Sequence, residues 1–154
     1  MTHVLLFLHL FSAFVFVSGM VAAGILQITA LRRERPSEIA LLLRTARTAV
    51  MFTNTGALGV LVFGLALVGQ RDIGFGTAWV SAAVALWVVS MALGGAGGRT
   101  ARHARHLAEQ LAAEGDQPNE QLRALVAHRP SLLLSYVATA AIVAILVLMV
   151  WQPA

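Results

Sequence analysis

The sequence predicts an all-α integral membrane protein, a four-helix bundle with a cytoplasmic helical hairpin between its third and fourth spans. Three observations carry this. Of 154 residues, 58% are hydrophobic and only 12% charged, where a soluble domain has about 25% charged residues. Nearly all the charges fall in two blocks, 32–47 and 99–129. Four apolar stretches remain, at about 4–28, 48–69, 77–93 and 131–151, each long enough to cross a bilayer. The length suits one transmembrane domain, 1–154, with polar loops at about 29–47 and 94–130.

The first span, 4–28, has no charged residue and a single histidine, His9. At about 1.5 Å per residue it reaches roughly 37 Å, enough for a hydrocarbon core of about 30 Å with some tilt. No basic segment precedes it and no clean cleavage site follows, so it reads as a retained span and not a signal peptide. Gly19 and Ala23 form a small-xxx-small pair, the pattern that lets two membrane helices approach closely.

The next segment carries Arg32, Arg33, Arg35, Arg44 and Arg47. Pro36 ends one helix or starts the next, Ser37 is a candidate N-cap, and 41–43 reads as an interfacial run into span two. Span two opens with Thr53, Asn54, Thr55 and Gly56, a polar cluster about two turns into apolar sequence. Lipid offers such groups no partner, so Asn54 is expected to hydrogen-bond a neighbouring helix or serve a ligand. Gly56, Gly59 and Gly64 mark a face open to another backbone.

A short connection, 70–76, with Arg71 and Asp72, makes spans two and three antiparallel neighbours. Trp79 suits an aromatic belt, and Trp87, near mid-span, suits packing. The glycine-rich run at 94–98 is expected to release the chain from span three. Residues 99–114 then read as an amphipathic helix with Arg105 and Glu109 at i,i+4. Residues 115–118 break it, and 119–128 read as a second short helix, the pair lying on the membrane surface as a hairpin. Span four ends on Trp151.

Arginine supplies all eleven basic residues: five in the first loop, one between spans two and three, and five in 94–130. The positive-inside rule then assigns the two rich loops to the cytoplasm and both termini outside, in the periplasm or its equivalent. The arginines flank apolar spans and no nucleic-acid motif accompanies them, so the lipid bilayer is the expected partner and nucleic acid is not. The absence of cysteine excludes disulfides, iron–sulfur clusters and thiolate metal sites.

Every Asp and Glu lies in a loop, which removes the membrane carboxylate that a proton-coupled carrier ordinarily needs. No phosphate loop, nucleophile elbow or zinc-protease motif is present, and no catalytic residue is assigned. His9 is the sharpest candidate. It is either a neutral imidazole bonded to a neighbouring helix or a ligand for haem b iron or copper. With the N-terminus outside, His103, His106 and His128 lie across most of the bilayer from it. Met149 and His3 are at matching depth, which allows a His9/Met149 haem or a His3/His9/Met149 copper site. His103 and His106 read as part of a solvated basic face.

The motif Leu8-His9-Leu10-Phe11-Ser12-Ala13, then Val17-Ser18-Gly19, resembles the first helix of the copper-resistance-D-like proteins and the membrane-bound protoporphyrinogen oxidases. The chain is more similar to a bacterial family of predicted integral membrane proteins of unknown function. That resemblance includes the arginine loop, Thr53 to Gly56, the Gly64-Leu65-Ala66-Leu67 run and the Gly/Arg exit from helix three. It implies a four-helix fold and, from the relatives, haem or copper at His9. The oxidases also use a membrane lysine, and this chain has none.

The expected function is therefore a non-catalytic accessory, assembly or structural subunit of a membrane complex or homo-oligomer, joined through the small-residue faces of spans one and two. The alternatives are a haem- or copper-binding redox or metal-handling protein built on His9, and a small transporter built on Asn54 with Thr53 and Thr55.

Overall fold

A computed structural model describes residues 2–70 and 77–151. The connection expected at 71–76, with Arg71 and Asp72, lies outside the described residues. Five helices follow in order: α1, Thr2–Ala30; α2, Pro36–Gln70; α3, Ala78–Ala113; α4, Glu120–Val126; and α5, Arg129–Trp151. No strand occurs among the described residues. Four helical stretches are long and apolar enough to cross a membrane, with α4 and α5 counted together as Glu120–Trp151. Their outward faces carry large apolar side chains such as Phe7, Phe14 and Val150.

α1 lies antiparallel along α2 from end to end. The Thr2 hydroxyl donates to the Gln70 side-chain carbonyl at one extreme, 3.2 Å away, and Ala30 is buried beside Ile39 and Leu43 at the other. α3 pairs with α5 in the same way. A Cβ at Gly97 would come within 3.3 Å of the Ser131 carbonyl, and the Ser131 hydroxyl donates to Thr100 Oγ1 at 2.8 Å. The two hairpins meet through α2 and α3.

α2 has 35 residues and α3 has 36. At about 1.5 Å per residue each exceeds 50 Å, far longer than a bilayer core. Both overshoot at the same end, where α2 starts and α3 finishes. Pro36 is the first residue of α2, a position where its missing N–H removes no helical bond. Residues 41–43 run into span two as part of this continuous helix.

The run at 94–98 does not release the chain; α3 passes straight through it. The reason is an inward stripe spaced alternately by three and four residues, Val80, Ala83, Trp87 and Ser90 before the run and Gly97, Ala101, Ala104, Ala108 and Leu111 from within it onward, with the exposed Gly94 at the intervening register position. That spacing keeps one helical face continuous. A glycine costs a helix about 1 kcal/mol relative to alanine, and Gly97 offsets it by letting α5 approach. The expected surface hairpin is thus the projecting end of α3 plus α4. α4 is capped by Asn119, whose side chain accepts from the Leu122 N–H at 3.1 Å.

The projecting ends pack into a cluster of Ala30, Ile39, Ala40, Leu43, Ala104, Ala108, Leu122 and Val126. A smaller cluster lies in the membrane half. Phe16, Ala57 and Ile142 are buried there, with Val17, Met20, Val60, Trp87 and Met91 against them.

Candidate functional site

The α1/α2 seam holds several polar side chains of the apolar helices, and His9 is its most informative member. His9 is buried, and its Nδ1 lies 3.1 Å from the carbonyl oxygen of Val60 on α2. A carbonyl only accepts, so Nδ1 carries the proton and Nε2 keeps a bare lone pair. The Val60 carbonyl is reachable because the residue one turn on is Gly64. A Cβ there would stand 3.1 Å from His9 Cε1 and 3.2 Å from Nδ1. Any side chain at position 64 would push against the ring.

Below His9 the helices touch backbone to backbone. Ser12 is buried against Gly59, where a Cβ would overlap the Ser12 hydroxyl. A Cβ at Gly56 would fall 2.5 Å from Phe16 N and 2.8 Å from its Cα. One at Gly19 would fall 2.7 Å from Thr53 Oγ1 and 2.8 Å from the Ala49 carbonyl. Real Cβ atoms do not sit so close, so glycine is required at both positions. Gly19 and Gly56 therefore face each other's helices within one chain. Ala23 continues the α1 face half-buried, and Gly24 beside it looks onto open space.

Four hydroxyls of the apolar stretches bond carbonyls four residues back in their own helices. Thr53 donates to Ala49 and Thr55 to Met51, both at 3.0 Å; Ser90 donates to Leu86 at 2.7 Å and Thr139 to Ser135 at 2.9 Å. Asn54 behaves differently from the expectation of a bond to a neighbouring helix. It is exposed on the outside of α2 and has no hydrogen-bond partner among the described residues. Thr53, Asn54 and Thr55 point apart and form no common site. Trp87 packs in the membrane cluster with its Nε1 buried and without a hydrogen-bond partner.

Neither His3, which is exposed, nor Met149, which is half-buried, is hydrogen-bonded to His9. Among the described residues no three His, Asp or Glu side chains gather in a group that could hold a metal ion. A concavity of about 430 Å³ lies at the other end of α1 from His9, lined by Ile25, Ile28, Thr29, Arg32 and Arg33.

At the projecting end sits a residue that sequence reasoning missed. Asp116 follows Gly115 in the turn after α3, with φ of 57° and 130° respectively. Its Oδ1 accepts from the Ser37 N–H and its Oδ2 from the Ser37 hydroxyl, both at 2.7 Å. Ser37 is therefore not the cap of α2. It is the point where a distant carboxylate caps that helix. The Ser37 hydroxyl, then its N–H, then the nearby Arg35 charge hold the Asp116 carboxyl below the usual aspartate range. Glu109 pairs with Arg44 at 3.2 Å and His106 at 3.8 Å, so its ionic partners differ from the expected Arg105. His128 precedes α5, and its Nδ1 lies 2.9 Å from Ser131 Oγ and 3.4 Å from the Ser131 nitrogen, an N-cap position.

Residues 3–153 match the model of a protein family described as "predicted integral membrane protein (DUF2269)". No curated protein and no solved structure matches the chain.

Proposed function

The chain belongs to that family of predicted integral membrane proteins, and from that premise we propose that it is a non-catalytic accessory or assembly component of a membrane complex or homo-oligomer. One observation carries the reading. His9, the histidine embedded in the apolar part of α1, bonds the Val60 carbonyl over Gly64 and so fastens two helices. The neighbouring hydroxyls bond their own backbones, which makes these polar groups part of the scaffold. In this reading the end carrying ten of the eleven arginines faces the cytoplasm of a bacterial inner membrane, with both termini on the other side. Purification from native membranes in mild detergent tests it. A particle containing more than one protein chain is expected, and a lone monomer under all mild conditions overturns it.

A second reading has one observation in its favour. A histidine that ligates a metal through one nitrogen usually donates the other N–H to a carbonyl or carboxylate, and His9 donates to Val60 in that manner. If haem or copper were bound, His9 would hold the metal through Nε2, with Met149, or Met149 and His3, as the further ligands. Such a group would supply electron transfer. The absorption spectrum and metal content of the purified protein test this. A Soret band or stoichiometric copper that His9→Ala removes supports it, and neither in the wild type eliminates it.

A further inference from the structure

We propose that two copies of this chain associate through the outward face of α2, with their Asn54 carboxamides hydrogen-bonded to each other. The proposal rests on the assembly reading above and names the surface that it needs.

The small-residue face expected to join copies is occupied within the chain, since Gly56 and Gly19 sit against the α1 and α2 backbones. A second face of α2 is free. Arg47, Met51, Asn54, Leu58, Leu61 and Leu65 repeat at intervals of four and three, the spacing of a helix–helix seam. Met51 and Leu58 are each 60% exposed and Leu65 36%. Asn54 lies seven residues beyond Arg47, about 10 Å further along the axis, and so within apolar sequence. A lipid-facing carboxamide there has no water to bond, and leaving it unpaired is unfavourable. Thr53 and Thr55, on either side, find carbonyls in their own helix. Asn54 finds none.

A second copy satisfies it better than any other occupant. A carboxamide both donates and accepts, so it is complementary to itself. Two copies inserted in the same sense bring equal depths together, which sets Asn54 beside Asn54 across a two-fold axis along the membrane normal. The stripe has no charge beyond Arg47, so it asks for no ionic partner. One asparagine in an apolar seam is also the device that fixes register and copy number in coiled coils.

The test uses the full chain in vesicles of phosphatidylcholine with phosphatidylglycerol. Energy transfer between donor- and acceptor-labelled copies is followed as lipid dilutes them. The wild type is expected to associate, Asn54→Leu to weaken association roughly tenfold, and Asn54→Gln to retain most of it. The chain has no cysteine, so Met51→Cys and Leu58→Cys provide a second measurement that leaves Asn54 in place. Both are expected to form disulfide-linked dimers on mild oxidation. Phe14→Cys, on α1 and 72% exposed, is expected not to. An Asn54→Leu chain that associates as well as the wild type overturns the surface, as does cross-linking through position 14 in preference to 51 and 58. A wild type that stays monomeric at high density overturns the pairing. If that monomer is nonetheless recovered from native membranes with a different protein, the accessory-subunit reading stands and this inference falls.

Discussion

The two ends of this molecule are held together by opposite means. In the membrane half, α1 and α2 meet where side chains are missing: Gly19, Gly56, Gly59 and Gly64 let backbones, Ser12 and the His9 ring come into contact. At the projecting end, α2, α3 and α4 meet where side chains are present, with Ile39 and Leu122 almost wholly buried. The solvent explains the contrast. Water drives Leu122 inward, since burying a leucine is worth about 1.5–3 kcal/mol. Lipid tails are as apolar as leucine and drive nothing inward, so close packing and hydrogen bonds must hold the helices. His9 belongs to the half where lipid offers a polar group no partner, and it finds one in the Val60 carbonyl.

Substitutions in the two halves should therefore fail for different reasons. The largest effect is expected from Gly56→Val, whose added atoms meet the Phe16 main chain. Backbone cannot step aside, so a loss of about 3 kcal/mol or more is expected from the overpacking. Gly24→Ala, with nothing within 4 Å of the new Cβ, is the matched control and should be close to neutral. Unfolding in mixed micelles measures both, and equal effects would remove the distinction between seam and surface glycines. Leu122→Ala should follow at about 2–4 kcal/mol through the cavity it leaves. Hydrogen exchange should then rise at α4 and the projecting ends of α2 and α3 while the α1/α2 seam stays protected.

Gly64→Ala is a smaller perturbation, because the His9 ring can move a few tenths of an ångström. About 1 kcal/mol is expected. The double variant His9→Ala/Gly64→Ala should lose less than the sum of its single variants, since the clash needs both partners. Strict additivity would mean that the ring does not rest on Gly64.

The smallest effect is at the Asp116 clip, and pH reveals it. The folded state holds the Asp116 proton less tightly than the unfolded state. The clip therefore contributes fully above the ordinary aspartate pKa of about 4. Its contribution fades as pH falls from there through the lowered folded value. Asp116→Asn imitates the protonated form and keeps a residue tolerant of positive φ. The wild type should be more stable than this variant near neutral pH, and melting curves should converge at the acid end. A difference that grows on acidification would contradict the assignment.

The spans were legible because a membrane requires long uncharged runs, and His9, Gly19 and Gly56 stood out as anomalies within them. The continuity of α3 was harder to see. Five positions holding four glycines read as a break, yet the alternation of three and four residues from Val80 to Leu111 crosses them unbroken. Asp116 and Ser37 lie 79 residues apart, and neither residue type announces the other. The inward face of α2 was legible through Gly56, Gly59 and Gly64, but that α1 of the same chain occupies it was not, for a physical reason. Two stripes on that helix share the seam spacing, one through Gly56 and one through Asn54, and apolar residues against lipid look the same as apolar residues against protein.

A disulfide across the α1/α2 seam is the most direct test of the claim that these two helices touch along their length in one register. The His9–Val60 contact depends on that register. A Cβ at Gly59 would lie 2.9 Å from the Ser12 Cβ, so a small outward shift of the helices brings the pair to the usual disulfide separation of about 3.5–4.5 Å. In the cysteine-free background, Ser12→Cys/Gly59→Cys should close within one chain on mild oxidation, while Ser12→Cys/Leu58→Cys, with Leu58 on the outward face, should form no bond within one chain. Closure of the 12–58 pair with the 12–59 pair left open would contradict it.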